Sequence, residues 1–562
     1  MFKKNDVCIL EIDDIGTNGE GIGKADGYTL FIKDALPGDR VEAKIMKANK
    51  NFGYARVQKI LTSSPDRVEP VCPVASKCGG CQLQHLSYEK QLEFKENKVK
   101  NNLERIGKAK DFVMHPIIGM DNPYHYRNKA QYPVRMGNDG NIHMGFYAGR
   151  THSVIETEKC YIDTEGNDEI LKLIKENMIA NNVSCYDEEK HKGLVRHILI
   201  RKGFATGEIM VCIVINGKTY PAAESLVTAL TKIPGMTSVC LNVNREKGNV
   251  ILGKEIINLY GKGYITDTIG DVKFQISPLA FYQVNPAQTV KLYETALKYA
   301  GLTGKETVWD LYCGIGTISL FLAKSALHVK GVEIISEAIE NARNNAKLNH
   351  IDNAEFYVGK AEEVLPKYYD EQRAAGNNAT ADVIVVDPPR KGCDIKLCET
   401  MVKMSPERIV YVSCDSATLA RDVEYFTANG YKLVEVQTVD MFGMGVHVES
   451  IVLLSHKSPD SHIDVKVEFG EGEEKVPLDK IAERAKQYQP APRVTYKMIQ
   501  EYIEEKYGFK VHTAYIAEVK RNLGLPMYDA PNMVEELKQP RRHPTAENVE
   551  AIKDALKHFG VI

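Results

Sequence analysis

At 562 residues, 43% hydrophobic and 26% charged, the chain is too long for a single core and has the composition of a globular protein with roughly three or four domains. A formal net charge of −3 excludes an indiscriminate polyanion binder, so a nucleic-acid partner would have to be held by local basic strips, shape and base contacts. The opening Met-Phe-Lys-Lys-Asn-Asp carries no apolar signal or membrane stretch, so the chain reads as cytosolic. Its 12 cysteines are therefore weighed as ligands or nucleophiles rather than disulfides.

Residues 1–62 read as five short strands punctuated by glycine, at 7–12, 16–23, 29–32, 40–47 and 54–61, which predicts a small OB-type β barrel. Lys44, Lys47, Lys50, Arg56 and Lys59 alternate with Phe52 and Tyr54. Cations that follow phosphates and rings that stack on bases suit single-stranded or loop RNA, although a solvated strand over core aromatics gives the same pattern. The runs Asn18-Gly-Glu-Gly-Ile-Gly23 and Phe31-Ile-Lys-Asp-Ala-Leu-Pro-Gly-Asp39 resemble the TRAM domain, an RNA-binding barrel of RNA-modifying enzymes. That resemblance favours RNA.

Residues 63–285 are read as a central α+β domain. Cys72, Cys78 and Cys81 lie in one short Gly-bearing loop, and Cys160 is the best distant fourth ligand. Soft thiolates suit zinc or an iron–sulfur cluster, and spacing leaves the two even. A helix near 88–106 places Leu92, Val99, Leu103 and Ile106 on one face, and 110–265 reads as mixed, β-rich sequence.

From 286 to 456 the pattern alternates: helix 287–300, strand 307–311, helix 318–324, strand 329–333, helix 336–349, then strands 383–386 and 409–412. This predicts a doubly wound, Rossmann-like parallel sheet. Asp310-Leu-Tyr-Cys-Gly-Ile-Gly-Thr317 follows the 307–311 strand and opens a helix; Gly314 and Gly316 let the backbone approach a ligand. Glu333 ends the next strand, where an acid binds ribose hydroxyls. Ser319 replaces the third glycine of a dinucleotide fingerprint, and a later strand ends in Asp387-Pro-Pro-Arg390, which resembles the base-facing turn of base-modifying methyltransferases.

The 409–412 strand runs into Ser413-Cys414 ahead of a helix at 417–422, so the unpaired N–H groups of that helix are expected to hold the thiol towards thiolate. Asp440-Met-Phe-Gly-Met-Gly-Val-His-Val-Glu449 supplies a base, either Glu449 or His447; the imidazole has the more suitable ordinary pKa. A thiol and a base at a sheet edge suit addition to an electron-poor ring followed by proton removal. Residues 457–492 read as a linker and 493–562 as a small helical extension of unknown role, with helices at 496–506 and 513–522 joined through Tyr507-Gly508.

Asp387-Pro-Pro-Arg-Lys-Gly392, Ser413-Cys-Asp-Ser-Ala-Thr-Leu-Ala-Arg-Asp422 and Asp440-Met-Phe…His447-Val-Glu449 resemble, in order and spacing, the signatures of the RNA uracil-C5 methyltransferase family over about residues 1–455. The resemblance implies Cys414 as nucleophile, Glu449 as base and Asp387 between cofactor and uracil. It also implies S-adenosylmethionine as cofactor. Gln283, in Phe281-Tyr-Gln283-Val-Asn285, would hold its methionine end, and Tyr312, Gly314, Gly316 and Glu333 the remainder. The run to Gln82-Leu-Gln-His85 resembles the cluster-bearing members, implying a structural 4Fe–4S cluster on Cys72, Cys78, Cys81 and Cys160. Barrel and cluster together resemble the 23S rRNA branch; a tRNA T-loop uridine methyltransferase and a non-catalytic RNA-binding assembly factor are the rivals. Two departures touch local loops: Asp415-Ser416 stands for a common Asn-Pro, and Gly443-Met-Gly445 for Pro-x-Thr.

Overall fold

The computed structural model describes residues 2–149, 151–377, 379–456, 496–523 and 543–559. The linker read at 457–492 and parts of the extension read at 493–562 lie outside the described residues. The chain divides into two compact units, Met1–Ser461 and His462–Ile562.

The first unit opens with a closed barrel of strands Val7–Ile15, Gly21–Ala25, Tyr28–Lys33, Arg40–Ala48 and Phe52–Thr62. Alternation builds it: Val41, Ala43 and Ile45 point inward to join Leu10, Ile12, Leu30 and Ile32, while Arg40 and Lys47 stay outside. Glycine permits the closure, because a Cβ on Gly23 would stand 2.2 Å from the Glu11 carbonyl oxygen. The turn at 17–19 separates two strands where the sequence suggested one at 16–23.

A seven-stranded sheet follows, in the order Glu255–Gly261, Met236–Val243, Ile209–Ile215, Val195–Lys202, Lys129–Met136, Ile142–Tyr147 and Val154–Glu156. Helices Asn167–Ala180 and Ala223–Leu230 cover one face, sharing a core of Ile170, Ile174, Ile198, Val211, Leu226 and Leu241.

The third sheet has eight strands, in the order Ala354–Val358, His328–Glu333, Thr307–Leu311, Val383–Val386, Arg408–Ser413, Glu449–His456, Tyr431–Val439 and Val113–Ile118. The first five run parallel, with helices on both faces around two apolar cores, as the alternating sequence implied. Glu449–His456 is antiparallel to both its neighbours. The Val113–Ile118 edge strand comes from the segment read as the central domain, so that segment contributes to two sheets.

The helix Tyr88–Arg105 packs beside the helix Ser416–Ala428, and its Asn102 side chain donates to Ser416 Oγ at 2.8 Å. Val99 and Leu103 are buried as the periodicity predicts, but Ile106 stands 40% exposed, and the buried side also holds Gln91 and Lys95. In the second unit, helices Tyr496–Tyr507, Thr513–Asn522 and Ala546–His558 share a core of Ile499, Ile503, Ile516, Ile552 and Leu556. Among the described residues no helix is long and apolar enough to cross a membrane.

Candidate active site

Strand order reverses between Thr307–Leu311 and Val383–Val386, and a crevice opens there at the carboxyl ends of the parallel strands. A cavity of about 1200 Å³ occupies it. Its wall includes Gln283, Tyr312, Gly314, Glu333, Asp387, Cys414 and Glu449, and also Cys72, Cys78, Cys81 and Cys160. The sequence-predicted residues thus converge on one cleft, with the exception of Gly316, which sits just behind its wall.

The glycine loop is shaped by backbone conformation. Tyr312, Gly314 and Gly316 have φ of 70°, 56° and 83°, the left-handed region that favours glycine. A Cβ on Gly314 would meet nothing within 4 Å, so space for a ligand stands over that peptide. Gly316 is instead packed, its Cβ position 3.2 Å from the Ala342 methyl group, and it closes the loop against the helix Ser336–Leu348. The Glu333 carboxylate accepts from the N–H groups of Gly314 (3.2 Å) and Ile335 (3.0 Å), which fixes the loop and leaves the acid at the cavity wall. Ile334 beside it is 56% exposed, an apolar surface for a flat ring that the sequence analysis did not pick out; the signal was an apolar residue directly after the ribose-type acid.

Asp310, on the strand Thr307–Leu311 that leads into this loop, is fully buried. One of its oxygens accepts from Ser319 Oγ and the other has no partner, and burial raises its pKa to about 7. It stood inside the glycine motif without being assigned a role.

Register brings the thiol and the acid together. Ser413 pairs with Ser450 across the antiparallel strands, so the next pair outward sets Cys414 opposite Glu449. Glu449 is 5% exposed, while Cys414 and Asp387 are half-buried. Burial and repulsion from Asp387 hold the Glu449 carboxyl above the usual carboxylate range, against the lowering pull of Arg390. Asp387 is raised too, by burial and then by Asp310. His447 also lines the cleft, its pKa lowered by burial and by Arg390.

One expectation is overturned. The Cys414 thiol is not held towards thiolate: burial, then Glu449 and Asp387, push its pKa up to about 11. The reason is local. Asp415 is the N-cap of the following helix, and its Oδ1 accepts from the N–H groups of Ala417 (3.0 Å) and Thr418 (3.1 Å), which leaves those donors spent before they can reach the sulfur.

The four cysteines share the cavity's other end. Cys81 is raised to about 11 and Cys160 is raised further, both chiefly by burial. Gly79 N–H donates to the Tyr147 carbonyl (2.9 Å), pinning the loop to the seven-stranded sheet. Among the described residues no His, Cys, Asp and Glu groups gather tightly enough to hold a single metal ion.

The loop between Val439 and Glu449 is anchored by a fully buried ion pair, Lys95 Nζ to Asp440 Oδ1 at 2.6 Å, with Lys95 also donating to the Phe442 carbonyl at 2.9 Å. Lys95→Met alone strands a buried carboxylate and is expected to cost about 3–5 kcal/mol in chemical denaturation. The double variant Lys95→Met/Asp440→Leu should recover most of that loss.

On the barrel, Phe31, Phe52 and Tyr54 contact one another with ring centroids 5.7 to 5.8 Å apart, and they lie outside the barrel core. Lys47 pairs with Tyr54, and Lys44 with Arg56, in the adjoining strands. These rings form an outer platform rather than core packing.

A family model described as tRNA (Uracil-5-)-methyltransferase matches residues 87–457, and one for the TRAM domain matches residues 4–58. A protein of Clostridium tetani described as an uncharacterised RNA methyltransferase is 50% identical over 455 residues, covering 81% of this chain and 97% of that protein. One of Halalkalibacterium halodurans, similarly described, is 50% identical over 456 residues, covering 81% and 98%. Among solved structures, the Pyrococcus abyssi tRNA (uracil-54, C5)-methyltransferase in complex with S-adenosyl-L-homocysteine is 29% identical with a TM-score of 0.64, covering 79% of this chain and 99% of that one. Both family matches end by residue 457, ahead of the unit His462–Ile562.

Proposed function

We propose, from the premise that this chain belongs to the tRNA (uracil-5-)-methyltransferase family and carries a TRAM domain, that it methylates carbon 5 of a uracil in 23S rRNA through a covalent bond to Cys414. The observation that carries this reading is the placement of Cys414, Glu449 and Asp387 on the wall of the cavity that also holds the glycine loop. S-adenosylmethionine, when bound, supplies the electrophilic methyl group. Gln283, Tyr312, Gly314 and Glu333 would hold it, with Gly316 closing the loop behind them, and Asp387 would stand between it and the base.

Uracil carbon 5 is a weak nucleophile. Cys414, deprotonated, forms an S–C6 bond, and the C5=C6 electron pair moves towards carbon 5 and O4 as an enolate. Carbon 5 then takes the methyl group. Glu449 removes the carbon 5 proton, the C5=C6 bond re-forms, and the thiolate leaves. A thiol pushed up to about 11 has to give up its proton to solvent before it attacks, which leaves Glu449 to accept the carbon 5 proton alone.

Cys72, Cys78, Cys81 and Cys160 would hold a 4Fe–4S cluster, a reading supported by their soft thiolate donors and by their lining one cavity. Its role is structural, because this methylation moves no electrons. Anaerobically purified protein should contain iron and sulfide with broad visible absorption; colourless protein with stoichiometric zinc would replace the cluster. The barrel face of Phe31, Phe52 and Tyr54 would stack RNA bases.

The choice of 23S rRNA rests on the resemblance of the barrel and cysteine segment to that branch. The likeness to a tRNA enzyme over 79% of this chain favours tRNA as the second reading. Quantifying 5-methyluridine in 23S rRNA and tRNA from cells with and without the gene separates them. A mark lost from 23S rRNA supports the first reading and one lost only from tRNA the second; no loss in either removes both and favours a non-catalytic RNA-binding role.

A further inference from the structure

The loop that delivers Glu449 carries two glycines around Met444, a non-glycine residue with φ of 67°. Such a loop has little stiffness of its own. Its shape is imposed from the helix Tyr88–Arg105 and from the stretch directly after Cys81. The N–H groups of Gln82 and Leu83 both donate to the Met444 carbonyl at 2.9 Å. Tyr88 Oη donates to Asp440 Oδ2 at 2.8 Å, beside the Lys95 ion pair.

Gln91 joins these parts. It is 1% exposed, and its Nε2 donates to the carbonyls of Leu83 (3.0 Å) and Leu86 (2.8 Å), which fills both its hydrogens. Its Oε1 accepts the Met444 N–H at 3.2 Å. A flipped amide would set its oxygen against two carbonyls, so a single orientation satisfies the site.

We propose that Gln91 is a positioning residue for the catalytic base, coupling the cysteine-bearing segment to the loop that carries Glu449; this rests on the assignment of Glu449 as base under the proposed function. Gln91 is not among the residues that line the cavity. Its loss therefore leaves attack by Cys414 and methyl transfer intact and slows removal of the carbon 5 proton, which depends on ångström-scale placement of a carboxylate.

The test separates those steps in the full-length protein. With 5-fluorouracil-containing RNA there is no carbon 5 proton to remove, so the covalent adduct forms without the base. Gln91→Met is expected to form that adduct within about threefold of the parent rate. Its turnover on ordinary RNA should fall about 10- to 100-fold, with a covalent protein–RNA species accumulating. Gln91→Glu, buried and held neutral, keeps one acceptor and one donor and should recover most of the turnover. Where Gln91→Met fails to fold, Gln91→Asn, whose shorter amide cannot reach Met444 N–H and both carbonyls at once, takes its place with the same expected excess of adduct over turnover. Turnover and adduct formation falling in equal proportion, or neither changing, overturns the proposal. A parent protein that forms no adduct overturns the underlying reading and this inference with it.

Discussion

Replacing Cys414 by alanine is expected to lower RNA methylation by about 10⁴-fold or more and to abolish the denaturant-stable adduct with 5-fluorouracil-containing RNA. Without addition at carbon 6, carbon 5 has no enolate character, and positioning of the methyl donor alone cannot replace it. The other thiols of the methyltransferase sheet are poorly placed to substitute: Cys313, Cys393 and Cys398 are 5%, 6% and 1% exposed and packed in the sheet cores. Because the Cys414 thiol is raised to about 11 in the free protein, alkylation by iodoacetamide should be slow near neutral pH and accelerate as pH rises. Asp415→Ala frees the Ala417 and Thr418 N–H groups and should speed that alkylation. Full turnover by Cys414→Ala would remove covalent catalysis from this cleft.

The parts of the site that could be read in advance are those where chemistry and strand ends coincide. Gly314, Glu333, Asp387 and Cys414 each follow or end an apolar run of strand length, and a parallel sheet gathers such positions at one edge whatever the packing details. Glu449 is different in kind. It begins a strand, and it reaches the same edge because Glu449–His456 is inserted antiparallel, a reversal that the local sequence does not announce. The Val113–Ile118 edge strand was equally hidden, since its pairing with Tyr431–Val439 spans some three hundred residues of chain. Gln91 and Lys95 are polar residues of a charged helix, yet they are buried because Asp440, Phe442 and Met444, 345 to 353 residues away, join the nearby Leu83 and Leu86 carbonyls in satisfying their side chains. The electrostatics of Cys414 were misread for a related reason. The helix N-terminus was visible, but Asp415 had already capped it, and two carboxyls arrive beside the sulfur from other strands.

Glu449→Gln is expected to separate bond formation from release. The amide keeps the size and one hydrogen-bonding oxygen of the base but cannot accept the carbon 5 proton. Cys414 addition and methyl transfer should proceed, while turnover falls by about 10²- to 10⁴-fold and the methylated covalent species accumulates. In the parent, Glu449 and Asp387 both lie above the ordinary carboxylate range, so breakdown of the covalent species should accelerate as pH rises through that raised, shared titration. The sign for stability is opposite. Folded carboxyls with raised pKa hold more protons than unfolded ones, so their contribution is fully present below the ordinary carboxylate range and is lost as pH rises through the raised values. Glu449→Gln removes one titrating group, so the variant should lose less stability than the parent between acidic and alkaline pH. Rapid-quench measurement of adduct decay, paired with denaturation midpoints across pH, reads both effects. Clean, unretarded turnover by this variant would move the proton acceptor to His447, the other basic group on the same wall, held neutral by burial and by Arg390.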